Sequence, residues 1–312
     1  MSWFHIIPMR NPMNLTGLHL LLSYRCTYEC DHCFVRSSPF AAGTMTLSFV
    51  RDVLQQAADA GTITSIYFEG GEPFLYYPIL LQGVKEARAK GFDVGIVSNG
   101  WFAETVEDAL EWLRPFADMG EVAFSFSDDD YHGDASSEET PAARARQAAA
   151  QLGMEAGSIA IEPPCGEYDP QTPGEPILGG GVRFRGRAVE KLADKTLPRR
   201  TWESFDHCPD EDWDEIGRLH LDAYGNLFNC QGIVLGNLQT QTLREVIDSW
   251  EPDSHPIVGP LKRGGPAELV RFFDLDLQGR YLDACHLCFL ARKVLLDRYP
   301  DLLAPTQVYR DV

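Results

Sequence analysis

Cys26-Thr27-Tyr28-Glu29-Cys30-Asp31-His32-Cys33 sets three thiols close together in the spacing CxxxCxxC. Thiolates this close can converge on one iron–sulfur cubane, a cluster normally held by four cysteines. Three cysteines leave one iron without a protein ligand, and an open coordination position marks a catalytic metal site rather than a structural one. Half of a zinc site is the competing reading. Zinc wants a fourth ligand nearby, and His32, between two of the thiols, is poorly placed to close the same site.

The cysteines follow directly on Leu18–Ser23 (LHLLLS), a short apolar run that reads as a buried strand. In α/β barrels the chemistry is built on the loops at that end of the strands. CxxxCxxC after a first strand resembles the radical S-adenosylmethionine (radical SAM) superfamily. The resemblance implies a [4Fe-4S] cluster on Cys26, Cys30 and Cys33, with S-adenosylmethionine chelating the open iron. It also implies a 5′-deoxyadenosyl radical that removes a hydrogen atom from substrate, the cofactors carrying the hard chemistry.

Later strand ends extend the resemblance. Ser65–Glu69 runs into Gly70-Gly71-Glu72-Pro73, where two glycines let backbone approach a ligand and a carboxylate can accept from an ammonium group. The place and pattern are similar to the family's GGE motif, which implies contact with the cosubstrate's amino group. Asp93–Ser98 is the third strand, and its end offers Ser98 and Asn99 for the adenosyl moiety, as the family implies. Glu121–Ser127 is the fourth; Ser127-x-Asp129 resembles the SxD of members with an extra C-terminal cluster, and Tyr131-His132 that of a narrower group including peptide epimerases. Both Ser127 and Asp129 are candidates to touch cosubstrate or substrate.

Helical periods over Thr46–Ala60, Ile79–Lys90, Glu104–Phe116 and Ala142–Leu152 alternate with these strands. Ser158–Ile161 reads as a fifth strand and Val182–Arg187 (VRFRGR) as a sixth, with Arg183, Arg185 and Arg187 on one face. A guanidinium there, Arg185 above all, suits a carboxylate or phosphate of cosubstrate or substrate. The Pro/Gly-rich stretch Gly166–Gly181 reads as a loop over the mouth. Alternating strands and helices argue for a parallel sheet. The fold class is α/β, and the resemblance implies an open (β/α)6 partial barrel of the TIM type followed by a small cysteine-rich domain. The expected division is an N-terminal extension 1–14, a radical SAM barrel 15–200 and an auxiliary domain 201–312.

Past Thr201 a hairpin is expected over Arg218–Asn229, and Thr242-x-x-Glu245 is a capping box. Cys208, Cys230, Cys285 and Cys288 make one full ligand set, equally suited by spacing to zinc or to a cluster. The pattern resembles the auxiliary domains called SPASM or twitch, which implies a second, fully ligated [4Fe-4S] cluster. Cys165 is left over beyond the fifth strand; a lone cysteine is more often packing than chemistry, yet here it is a candidate hydrogen-atom donor. Cys230 is followed by Gln231, where peptide-epimerising relatives carry a second cysteine, so epimerisation requires Cys165 to replace it.

The 312 residues are 44% apolar and 23% charged, ordinary for a globular protein, and no apolar run approaches a membrane span. With no signal-peptide architecture the chain reads as cytoplasmic, where eight cysteines suggest metal or catalysis before disulfides. A formal charge of −19 disfavours nucleic acid and anionic membrane as partners. The expected function is modification of a ribosomal peptide by oxidation, cross-linking or epimerisation, with flavodoxin or ferredoxin as electron donor. The absence of an obvious leader-binding domain weighs against a peptide. The rivals are a radical dehydrogenase of a small alcohol or sugar and, in another class, a non-catalytic iron–sulfur carrier or zinc protein.

Overall fold

The computed structural model describes residues 13–132, 139–168 and 176–310. Most of the expected extension 1–14, and the middle of the Pro/Gly-rich stretch, lie outside the described residues. The first half alternates β1 (Gly17–Ser23), α1 (Leu47–Ala60), β2 (Ser65–Gly70), α2 (Tyr77–Ala89), β3 (Asp93–Ser98), α3 (Val106–Ala117), β4 (Val122–Ser127), α4 (Pro141–Gln151) and β5 (Ala156–Ile159). Consecutive strands pair in parallel. Helix α1 begins where the Thr46 side chain accepts the Phe49 N–H and ends at Gly61 in the left-handed conformation. Its buried Val50, Val53, Leu54 and Ala57 recur at helical spacing. A capping box of Thr105 and Asp108 opens α3.

The remainder holds a ribbon of β6 (Cys165–Tyr168) and β7 (Pro176–Gly179), α5 (Ala188–Lys191), and β8 (Arg200–Thr201), which pairs with β12 (Arg280–Tyr281). Between them lie β9 (Arg218–Leu221), β10 (Asn226–Phe228), β11 (Val234–Asn237), α6 (Leu243–Ser249) and α7 (Val258–Phe272), with α8 (Ala284–Leu295) last. The main sheet runs β11-β10-β9-β1-β2-β3-β4-β5 and, among the described residues, stays open at both edges.

Four sequence expectations need correction. Val182–Arg187 is not a strand: Arg185 N–H donates to the Arg183 carbonyl, and Gly186 adopts φ +61°. The sixth parallel strand is β9, paired in register with β1 from far along the chain. The sheet therefore continues across the expected boundary at 200. The fifth strand stops at Ile159, because the Ile161 N–H turns to the Asp129 carboxylate instead of the ladder. The Pro/Gly-rich stretch carries the β6–β7 ribbon at its ends rather than irregular loop throughout.

An aromatic cluster forms part of the core. Fully buried Phe74 packs on Phe102 at 4.3 Å between ring centroids, and also meets Trp112, Phe116 and Phe124. Phe74→Ala is expected to cost about 3–5 kcal/mol, read as a lowered urea midpoint with unchanged slope.

Candidate active site

Cys26, Cys30 and Cys33 line a pocket of about 290 Å³ at the C-terminal ends of the parallel strands. Gly70 and Gly71, Ser98 and Asn99, and Ser127 and Asp129 come to the same pocket from the ends of β2, β3 and β4. Tyr28, His32, Phe34 and His132 complete its polar and aromatic wall. A Cβ on Gly71 would strike the Arg25 carbonyl, so only glycine lets these loops approach.

The sulfurs are approached by N–H groups: Tyr28 N–H and the Asn99 amide reach Cys26 Sγ at 3.4 and 3.5 Å, and Ser37 N–H reaches Cys33 Sγ at 3.3 Å. Burial pushes the Cys26 thiol up to about 12 and raises Cys30 as well. Thiolates in such a place need a compensating cation, and donors around the sulfurs suit a cluster with one open iron.

Glu72 behaves differently from expectation. It is fully buried and does not line the pocket. Its carboxylate accepts from Phe74 N–H, Asn99 N–H and the Ser98 hydroxyl at 2.8–3.1 Å. The side chain thus clamps the β2 loop to the end of β3, leaving backbone at Gly70 and Gly71 to face the pocket. Asp129 is similarly engaged. It pairs with His132 Nδ1 at 2.7 Å and accepts the N–H groups of Tyr131 and Ile161. Burial, the largest single influence, would raise its carboxyl, but the contacts with His132, the Ile161 N–H and His32 together leave the group below its ordinary value.

Cys208, Cys230, Cys285 and Cys288 line a second pocket together with Arg185, Trp213 and Arg292. The Nε of each arginine and the Trp213 indole N–H are buried without a hydrogen-bond partner. Orphaned donors are rare in protein interiors. Donors converging on four thiols fit a metal group with sulfur acceptors, and two guanidiniums offset the net negative charge that a tetrathiolate site keeps with either zinc or a cluster.

Arg185 therefore lies at the second cysteine set, its Nη1 3.2 Å from Cys230 Sγ, and not in the first pocket as expected. Its guanidinium sits 5.0 Å from the centroid of Phe34, whose ring lines the first pocket. Cys165 is exposed on the β6–β7 ribbon, 3.4 Å from Glu167, and is absent from the lining of both pockets. Sequence reasoning missed Arg292. Its place four residues after Cys288 on α8, hence on the same helix face, was the available signal.

Residues 20–134, from β1 to just past β4, match the radical SAM superfamily. The chain carries a radical SAM superfamily domain. It is similar to YydG of Bacillus subtilis (strain 168), whose name assigns it to peptide biosynthesis: 30% identity over 111 residues, 36% of this chain and 35% of that one. A Pyrococcus furiosus protein named as modifying the cofactor of a tungsten-containing aldehyde ferredoxin oxidoreductase is 30% identical over 113 residues, 36% of this chain and 30% of that one. The subtilosin biosynthesis protein AlbA of Bacillus subtilis (strain 168) is 28% identical over 95 residues, 30% and 20% of the two chains. The match spans about a third of the length of the first two relatives. BtrN, solved in complex with AdoMet and 2-DOIA, shares the fold at TM-score 0.50 and 14% identity, over 80% of this chain and 88% of that one. Among the described residues, no helix is long and apolar enough to cross a membrane.

Glu72 gives a pH test. Burial lifts its carboxyl from the ordinary 4.5 to about 7, against the pull of Asn99 N–H, Phe74 N–H and Ser98. The folded state then binds a proton more tightly than the unfolded chain. That contribution to stability is fully present below about 4.5 and is lost as pH rises through about 7. Urea titrations of the metal-free chain across this window should show a smaller fall for Glu72→Gln than for the wild type.

Proposed function

We propose that this chain is a radical SAM enzyme that modifies a peptide, with Cys26, Cys30 and Cys33 holding the catalytic [4Fe-4S] cluster. When bound, the cluster and S-adenosylmethionine supply a 5′-deoxyadenosyl radical for hydrogen-atom abstraction. The observation that carries the reading is one pocket at the strand ends, walled by three and only three of the described thiols. Backbone at Gly70 and Gly71 is offered to the cosubstrate's amino group, with Ser98, Asn99 and Ser127 alongside. Asp129 holds His132 at the pocket wall, where the imidazole can take or give a proton.

Cys208, Cys230, Cys285 and Cys288 would hold a second [4Fe-4S] cluster, with Arg185 and Arg292 neutralising part of its charge. A peptide substrate is favoured by the names of YydG and AlbA. The exposed edge strand β5, whose Ile159 also lines the pocket, leaves room for a chain to approach. Among the described residues no spare thiol lines the pocket, Cys165 included. An oxidised or cross-linked product is therefore favoured over an epimer, whose formation needs a hydrogen atom returned to substrate carbon. Flavodoxin or ferredoxin would supply the reducing electron.

Anaerobic reconstitution should load about eight irons per chain, falling by about four in Cys26→Ala/Cys30→Ala/Cys33→Ala, with loss of 5′-deoxyadenosine formation. Zinc in place of four of the irons would make the second site structural. No 5′-deoxyadenosine with any reductant would overturn the enzyme reading. With a candidate peptide in D₂O, mass spectrometry should show loss of hydrogen and no deuterium at carbon; deuterium gain would instead indicate epimerisation.

A further inference from the structure

Three strands bring a carboxylate and two imidazoles to one point outside both cysteine sets. In the ladders His19 of β1 stands opposite Tyr67 of β2 on one side and His220 of β9 on the other. Glu69 lies two residues beyond Tyr67, so strand alternation puts it on the same face. His220 Nδ1 is 2.6 Å from Glu69 Oε1, and His19 Nδ1 is 3.1 Å from Oε2. One ligand atom from each of the three residues lies within 4.8 Å of the other two. The His19 ring is fixed by stacking on Tyr67 at 4.7 Å.

Charge separates a mere hydrogen-bonded staple from a site. The three side chains are largely withdrawn from water, His19 and Glu69 being 16% exposed and His220 9%. Among the described residues the ion-pair partners of Glu69 are these two histidines, with no Lys or Arg. With both imidazoles neutral, such a staple leaves a carboxylate charge in a poorly solvated place, whereas a divalent cation would neutralise it, each ring moving its proton from Nδ1 to Nε2 to free Nδ1 as a ligand.

We propose that His19, Glu69 and His220 form a mononuclear divalent-cation site of the zinc class, separate from either cysteine set. Two imidazoles and a carboxylate are the donors a borderline ion such as Zn²⁺ takes in three-ligand sites with an open position. Glu69 also lines the main pocket, so the open position can accept an oxygen from water or from the pocket's occupant. The site stands or falls independently of the radical chemistry.

The test uses the full chain with its cysteine sites filled by anaerobic reconstitution, so that thiols do not compete for metal. After incubation with zinc chloride and gel filtration, elemental analysis should find about one zinc per chain beside an unchanged iron content. X-ray absorption at the zinc edge should show a shell of nitrogen and oxygen at about 2.0–2.1 Å and no sulfur at about 2.3 Å. His19→Ala and His220→Ala should each lower zinc affinity at least tenfold while the iron content holds. No retained zinc, a sulfur shell, or equal retention by both variants would overturn the proposal. The absorption spectrum of the wild type decides the matter even where a variant fails to fold.

Discussion

Arg187 carries a buried guanidinium whose Nη1 and Nη2 reach the carbonyls of Cys30 and Ser37 at 2.8 and 2.7 Å. Its backbone N–H donates to the Cys33 carbonyl. A loop that presents three thiols to a pocket cannot also place its carbonyls in a ladder, and buried carbonyls need partners. Arg187 supplies them from 150 residues or more along the chain. Gly186, at φ +61°, lies so close to Cys33 and Phe34 that a side chain would displace the loop it braces. Two residues before Arg187, Arg185 meets Cys230. One short segment therefore touches both cysteine sets and fixes their separation.

The same region shows how charge is arranged before any metal arrives. Each cysteine set is buried enough to disfavour bare thiolates, as the raised Cys26, Cys208 and Cys288 groups show, burial being the largest cause in each. N–H donors surround the first set, and two guanidiniums with orphaned Nε atoms face the second. Both arrangements favour a bound metal group whose sulfurs accept hydrogen bonds. Glu72 and Asp129, the acidic residues at the strand ends, have carboxylates already engaged by protein donors, so they hold the walls of the pocket in place.

Much of this was legible in the sequence. The cysteine spacings, the glycine pair and the four strand–helix units are local patterns, and strands β1 to β4 and their caps follow them. Long-range pairing was not legible. VRFRGR alternates as a strand would, but its path is decided by Cys33, Asp283 and Asp210, which local pattern does not contain. For the same reason nothing marked Arg218–Leu221 as the neighbour of β1, although the hairpin it belongs to was readable. The direction of the Glu72 carboxylate depends on donors from β3. His19, Glu69 and His220 are scattered over two hundred positions and meet only because β9 lies beside β1.

The central claim is that two differently ligated clusters occupy one chain, with only the first open to cosubstrate. Electron paramagnetic resonance of the dithionite-reduced, reconstituted protein tests it most directly. Two overlapping reduced-cluster signals are predicted, of which one changes on adding S-adenosylmethionine and the other does not. A variant lacking Cys26, Cys30 and Cys33 should retain only the unresponsive signal. A spectrum that S-adenosylmethionine leaves unchanged, or a responsive signal that survives in that variant, would contradict the account.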